Sequence, residues 1–290
     1  MMTMFGKTTL ITSRDPKGQQ TVAIFEAAYN KAKLDDGRAQ RLNERGGELK
    51  AGIAKLIAEL SVTDRFKDEE VNSTYGYLSG YTPKPIVEQV KRLVELFPNI
   101  GGYAENADSL ALSDGAEGWF AIPRWEKIAP TYGEAVQKVL DLIKQTRSGK
   151  FYNYREGQLG SDRLKQSDRT VAAFEKLGEE QGDDILIVPA QFGIKHRGRS
   201  VRRAREVFAV NEFGLGAFAI GIMLLTHPER LQHYDDLYID CAGDEFKPDD
   251  EREFSDAPFF YFFGGRVKFI VSRVVRASGR CGSASAFLPQ

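Results

Sequence analysis

Apolar residues recur at helical spacing through the first half of the chain. From Thr21 onward, Val22, Phe25, Ala28 and Tyr29 share one face, which predicts an amphipathic helix. Asp35-Asp36-Gly37 interrupts it, and a second helix is predicted toward Leu60, with Leu49, Ile53, Leu56, Ile57 and Leu60 on one stripe. Gly46 and Gly47 weaken the first half of that helix. The pair reads as a helical hairpin serving as a cap or a partner surface. Residues 61–84 turn charged and then Tyr/Gly-rich, so STYGYLSGY reads as a loop anchored to the core by Tyr75, Tyr77 and Tyr81. Pro83 and Pro85 introduce an amphipathic helix with Ile86, Val90, Leu93, Val94 and Phe97 inward, ended by Pro98. A Gly/Asn/Asp-rich loop at 99–118 precedes WFAIPRW, a short strand broken by Pro123. Helical spacing returns over 133–147 through Val136, Val139, Leu140 and Ile143, with Ser148-Gly149 as a stop.

The second half alternates short strands with short helices. FYNYREGQLGSDRL has the composition of a domain junction, and a helix is predicted over 169–177. DILIVPAQF at 184–192 is rich in β-branched residues, and Pro189 predicts an edge strand or a bulge. Gly214, Gly216 and Gly221 permit close backbone approach, but they lack the strand and the spacing of a dinucleotide fingerprint. Helical turns are predicted from Pro228, and LYIDC reads as a strand. The expected class is α+β: a mostly helical region at 1–150, then a mixed domain at 151–290 with a small sheet and long loops.

The tail, 257–290, is patterned differently. Phe260, Phe262, Val267 and Phe269 alternate as the inward positions of a half-buried strand pair. Between and after them stand residues with no shared physical purpose: Phe259, Tyr261, Phe263, Gly264, Gly265, Ile270, Val271, Ser272, Arg273, Val275, Arg276, Ser278, Arg280 and Cys281. A solvent face would be plainly polar, whereas these mix aromatics, arginines and small residues. From Phe259 to Phe287 there is one Lys and no Glu, Gln, Met or Trp, although Lys and Glu are plentiful elsewhere. A codon ending in C or T encodes none of these five. Randomising the first two bases of Asn-type codons yields the residues found at the odd positions. The tail then closes on a small-residue run, GSASAFLP.

This pattern resembles the variable region of a diversity-generating retroelement target protein. In that family the adenines of a template are copied with errors into the 3′ end of a gene. The product is usually a C-type-lectin-like fold that displays the variable residues for binding. The strings VPAQFGIKHRGRSVRRAREVF, NEFGLGAFAIGIMLLTHPERL and YIDCAGDEF also resemble a family of uncharacterised hypothetical proteins over most of the chain before the tail. The resemblance implies a fixed frame of Ala257-Pro258, Phe260, Phe262, Val267, Phe269, Ala277 and the GSASAF close, with differing residues between. It implies a C-type-lectin-like domain over 151–290 and a ligand-binding face built from the odd residues named above. It further implies a role without catalysis or cofactor, whose partner is a protein or surface ligand. The helical region at 1–150 lies outside what that fold explains. Arginines and aromatics are efficient at such a face because each contributes a large contact area.

Composition narrows the alternatives. The net charge of −1 gives no pull toward nucleic acid, and Cys241 and Cys281 make no disulfide framework. MMTMFGKTTLITSRD lacks the apolar core of a signal peptide, and AFAIGIMLL is too short to span a bilayer, so a cytoplasmic protein is the default expectation. His196, His227 and His233 read as structural. Asp235, Asp236, Asp240, Asp244 and Glu245 could hold Ca²⁺, although their spacing matches no EF-hand loop. The rival function is an enzyme or binding protein for a phosphorylated ligand. It would use the arginine cluster at 197–205 (Arg197, Arg199, Arg202, Arg203, Arg205) with the carboxylates at 235–245. A pocket holding Arg197, Arg199 and Asp240 together would favour that reading.

Overall fold

The computed structural model describes residues 12–61, 63–105, 107–109, 111–249 and 251–289. Most of the stretch read for signal-peptide character, positions 1–11, lies outside them. Among the described residues the architecture is α+β, with eight α-helices and eleven strands in two sheets. The chain divides into two compact units after Ile57.

The first unit is helical. α1 (Pro16–Lys31) begins at Pro16, where a missing N–H costs nothing. α2 (Asp36–Glu44) is capped by Asp35, whose side chain accepts from the Arg38 N–H at 2.8 Å. α3 (Gly46–Leu60) follows. The single second helix predicted from the sequence is thus two. The backbone leaves helical geometry at Arg45 (φ −96°, ψ 28°), directly before the two glycines that hold a helix least. Phe25, Leu42, Leu49 and Ile53 line an apolar groove of about 890 Å³, and no residue of α1 or α2 is fully buried.

In the second unit α4 (Ile86–Leu96) buries Ile86, Gln89 and Leu93. Val94, expected inward, is 44% exposed, and Gln89 takes an inward position instead. Its side chain donates to the carbonyls of Lys84 (2.7 Å) and Trp119 (2.9 Å) and accepts from the Ala121 N–H (3.0 Å). A buried amide with its partners satisfied can stand where an apolar residue was expected. Those bonds tie α4 to β1 (Gly118–Pro123). α5 (Tyr132–Thr146) starts from a capping box between Thr131 and Glu134. The chain continues through β2 (Phe151–Asn153), β3 (Leu164–Gln166), α6 (Asp168–Gln181), β4 (Ile185–Gln191), α7 (Val201–Glu206) and β5 (Glu212–Gly214). Then come α8 (Ala217–Thr226), β6 (Tyr238–Asp240), β7 (Asp244–Phe246), β8 (Asp256–Phe263), β9 (Arg266–Arg273), β10 (Cys281–Ser283) and β11 (Ser285–Phe287).

The boundary expected at 150/151 falls inside this unit. Ser148 and Gly149 do end α5, but Phe151–Asn153 enters directly into parallel pairing with β9. β1 likewise pairs antiparallel with β4 along its whole length. Local turn signals at 148–149 end a helix without ending the domain.

The first sheet runs β1-β4-β11-β5, all antiparallel. β4 is one of its two interior strands and is buried at every position, not the edge that Pro189 predicted. The proline fits because β11 pairs only with Ala190 and Gln191, which leaves Pro189 beyond the end of that ladder. In the second, seven-stranded sheet, β10, β6, β8, β9 and β2 lie side by side, with β7 and β3 continuing next to the start of β8. The tail therefore supplies β8 to β11. It crosses from one sheet to the other at Ala284, between β10 and β11. Small residues are required there: a Cβ on Gly282 would lie 2.2 Å from the Gly193 carbonyl oxygen. The apolar run AFAIGIMLL forms most of α8, which is buried on every side and packs against α5. No helix among the described residues is long and apolar enough to cross a membrane.

Candidate ligand-binding site

The site is built on the β8–β9 hairpin, whose two faces differ. Phe260, Val267 and Phe269 are fully buried in the core, and Phe262 packs against it. Their neighbours Phe259, Tyr261, Ile270 and Ser272 point to the opposite face, as strand alternation requires. In register, Ser283 of β10 lies beside Asp240 of β6, Asp240 opposite Phe259 of β8, and Phe259 opposite Ile270 of β9. A single row thus crosses four strands.

This outer face carries a cavity of about 390 Å³. Phe259, Tyr261, Ile270 and Ser272 line it from the hairpin. Arg273, Arg276 and Ser278 line it from the end of β9 and the following loop, and Arg280 and Cys281 close it from β10 and its approach. All belong to the residues singled out in the tail. The others of that group lie elsewhere. Phe263 is at the hairpin tip, 46% exposed, with its ring 5.7 Å from Tyr234. Val275 is exposed on the loop. Val271 faces the core and is 7% exposed, because it continues the inward alternation of Val267 and Phe269. Gly264 and Gly265 are the two central residues of the hairpin turn, with φ of 62° and 74°. Both positive values fit a type I′ turn, which admits Gly, Asn or Asp and little else. Val271, Gly264 and Gly265 are therefore positions that the fold constrains.

The floor and walls contain residues that the tail pattern does not reach. Tyr238 and Asp240 of β6 line the cavity. The signal for them was the alternation in LYIDC, which turns Tyr238 and Asp240 to one side and buries Ile239 and Cys241 on the other. The Tyr238 and Tyr261 rings are 5.2 Å apart, and the Phe259 and Tyr261 rings 5.3 Å. Tyr238 lies nearly parallel to Phe259 at 6.5 Å. Burial pushes the Asp240 carboxyl up to about 7, against the opposing pull of the Arg276 guanidinium. Burial likewise pushes the Cys281 thiol up.

Two of the three arginines are already held. Arg273 pairs with Glu251. Arg280 lies over the Tyr234 and Tyr75 rings at 4.7 and 5.1 Å, bonds the Tyr238 hydroxyl at 3.3 Å and stands 3.7 Å from Asp235. Tyr75 thus reaches the rim of the cavity, while Tyr77 and Tyr81 pack against the core as expected. Tyr77 donates to Glu117 at 2.5 Å.

The rival cluster is committed to structure. Arg203 pairs with Asp64 (2.9 Å), Glu70 (2.5 Å) and Glu206 (2.9 Å), and Arg202 with Glu69. Glu206 also accepts from the N–H groups of Arg65 and Phe66. Segment 63–70 is thereby fastened to α7. Arg199 lies 3.5 Å from Glu70, Arg205 donates to the carbonyls of Ala242 and Asp244, and Arg197 donates to that of Tyr75. The acidic residues at 235–245 are dispersed as well. Asp236 accepts from the N–H groups of Leu78, Gln232 and His233, and Glu245 pairs with Lys165. Asp244 accepts from the Tyr132 hydroxyl and the Ala217 N–H at the start of α8. Among the described residues no group of three or more His, Cys, Asp or Glu gathers as a metal site.

The histidines are structural. His196 is buried, with Nε2 donating to Glu212 at 2.7 Å and Nδ1 accepting from Arg199 at 3.0 Å. Burial lowers its pKa, which favours the neutral ring. His227 Nε2 accepts from the Lys84 N–H, and His233 Nδ1 from the Asp235 N–H. Cys241 and Cys281 are both free. No family model, no curated protein and no solved structure matches this chain.

Proposed function

We propose that the protein is a non-catalytic ligand-binding display protein whose cavity-lining tail residues are diversified by a retroelement on a fixed scaffold, with residues 151–290 arranged in a C-type-lectin-like manner. The observation that carries this reading is the partition of the β8–β9 hairpin. Tail residues that looked purposeless in sequence converge on one cavity, while the alternating frame, Phe260, Val267 and Phe269, is buried beneath them. A surface that must change its side chains needs a backbone held by other residues, and strand alternation supplies that separation. The ligand is a protein or a surface-borne molecule met through this face, and it differs from one diversified copy to another.

The test is on DNA. The bases that encode the tail and the few kilobases that follow are sequenced. The expected finding is a near-copy of the tail-coding stretch, differing at adenines in codons for the cavity residues, beside a reverse transcriptase gene. Absence of any such repeat, or mismatches concentrated in the codons of Phe260, Val267 and Phe269, would overturn diversification.

A further inference from the structure

One group at the cavity is not explained by the fold. Asp240 is 7% exposed and lines the cavity, yet no described residue donates a hydrogen bond to its carboxylate. Its register neighbour Ser283 has a buried hydroxyl that also lacks a partner. Buried polar groups are nearly always satisfied, so the Ser283 hydroxyl is an exception, and the Asp240 carboxylate beside it is left to meet whatever enters the cavity. Other buried carboxylates of this chain show the usual arrangement: Glu212 accepts from His196 and Ser285, and Asp244 from Tyr132 and Ala217. The charged group facing Asp240 is Arg276, exposed on the loop after β9, and the Cys281 thiol lies nearby. The aromatic rings of Tyr238, Phe259 and Tyr261 gather in the same cavity.

Resting on the display reading above, we propose that Asp240 is a fixed anchor for a cationic group of the ligand, an ammonium or guanidinium, which enters between the aromatic rings and donates hydrogen bonds to the carboxylate. An ionised carboxylate only accepts, so it calls for a donor. Aromatic faces attract the same charge. The volume admits a side-chain-sized group. Asp240 and Ser283 stand outside the odd tail positions, so the anchor stays constant while the walls differ between copies. In this copy Arg276 is the charged group that faces the carboxylate, and the ligand's cation competes with it.

The test is calorimetric titration of the full chain at about pH 8, where the anchor is ionised, with phenethylammonium, its neutral counterpart phenethyl alcohol, and the anion phenylacetate. Phenethylammonium should bind at least about tenfold more tightly than the other two. Asp240→Asn should weaken ammonium binding by about tenfold or more and leave the alcohol unchanged. Arg276→Ser, on an exposed loop, should tighten ammonium binding several-fold by removing the competing cation, and it carries the test if Asp240→Asn fails to fold. Tighter binding of phenylacetate, an unchanged ammonium affinity in Asp240→Asn, or no binding of any probe would overturn the anchor. The two readings fail separately. A template repeat without ammonium binding removes the anchor alone, and ammonium binding without a repeat removes diversification alone.

Discussion

The two faces of the β8–β9 hairpin share one backbone and divide the labour. On the inner face Phe260, Val267, Phe269 and Val271 lie in the core. On the outer face Phe259, Tyr261, Ile270 and Ser272 are half-buried around a cavity. The difference teaches that a strand pair can bury its core contacts on one side and leave the residues of the other side out of the core, which is the separation the proposed binding role requires. It holds only if the inner residues suffice to fix register, because a one-residue slip would exchange the faces.

The largest effect should come from breaking the inner face. Phe269→Ala should cost about 3–5 kcal/mol, read as a lower urea midpoint, because it empties a fully buried aromatic site. Next in size is Asp240 at the floor of the outer face. Its carboxyl, pushed up to about 7 by burial, holds its proton more tightly in the folded than in the unfolded chain. The associated stability is full below the ordinary carboxylate range and is lost as pH rises through about 7. Asp240→Asn should therefore stabilise the fold by roughly 2 kcal/mol at about pH 8 and change little near pH 4, with part of the pH slope left to Asp244. Thermal melts at the two pH values check it; equal shifts at both would contradict the assignment. Smaller again is the turn. Gly264→Val should cost about 1–2 kcal/mol, while Gly264→Asn should be nearly neutral, because the φ of 62° penalises a β-branched side chain.

Much of this division was legible in the tail itself. Alternation marked Phe260, Val267 and Phe269 as inward, and the mixed chemistry between them marked most of the cavity lining. Val271 stands two residues after Phe269, so the same alternation marked it as inward, but its place in the mixed run grouped it with the odd residues instead. Gly264 and Gly265 read as odd residues, although a Gly-Gly pair between strands is also the signature of a tight turn. Tyr238 and Asp240 were hidden by distance: β6 comes to the cavity only through non-local pairing with β8 and β10. The same limit explains the misplaced boundary at 150, where Phe151 enters the sheet by pairing with Val267. The arginine cluster looked like a ligand site because its partners, Asp64, Glu69 and Glu70, are distant in sequence. Glycine at 46–47 pointed to the weak place in the second helix, and the chain breaks just before it.

The most direct measurement compares urea denaturation of a triple outer-face variant, Tyr261→Ser, Ile270→Ser and Arg276→Ser, with that of Phe269→Ala alone. The expected result is a smaller total loss for the three outer substitutions than for the one inner substitution, with the phenethylammonium affinity of the triple variant changed. A triple variant that loses as much stability as Phe269→Ala, or more, would contradict the division of the hairpin into a frame and a display face.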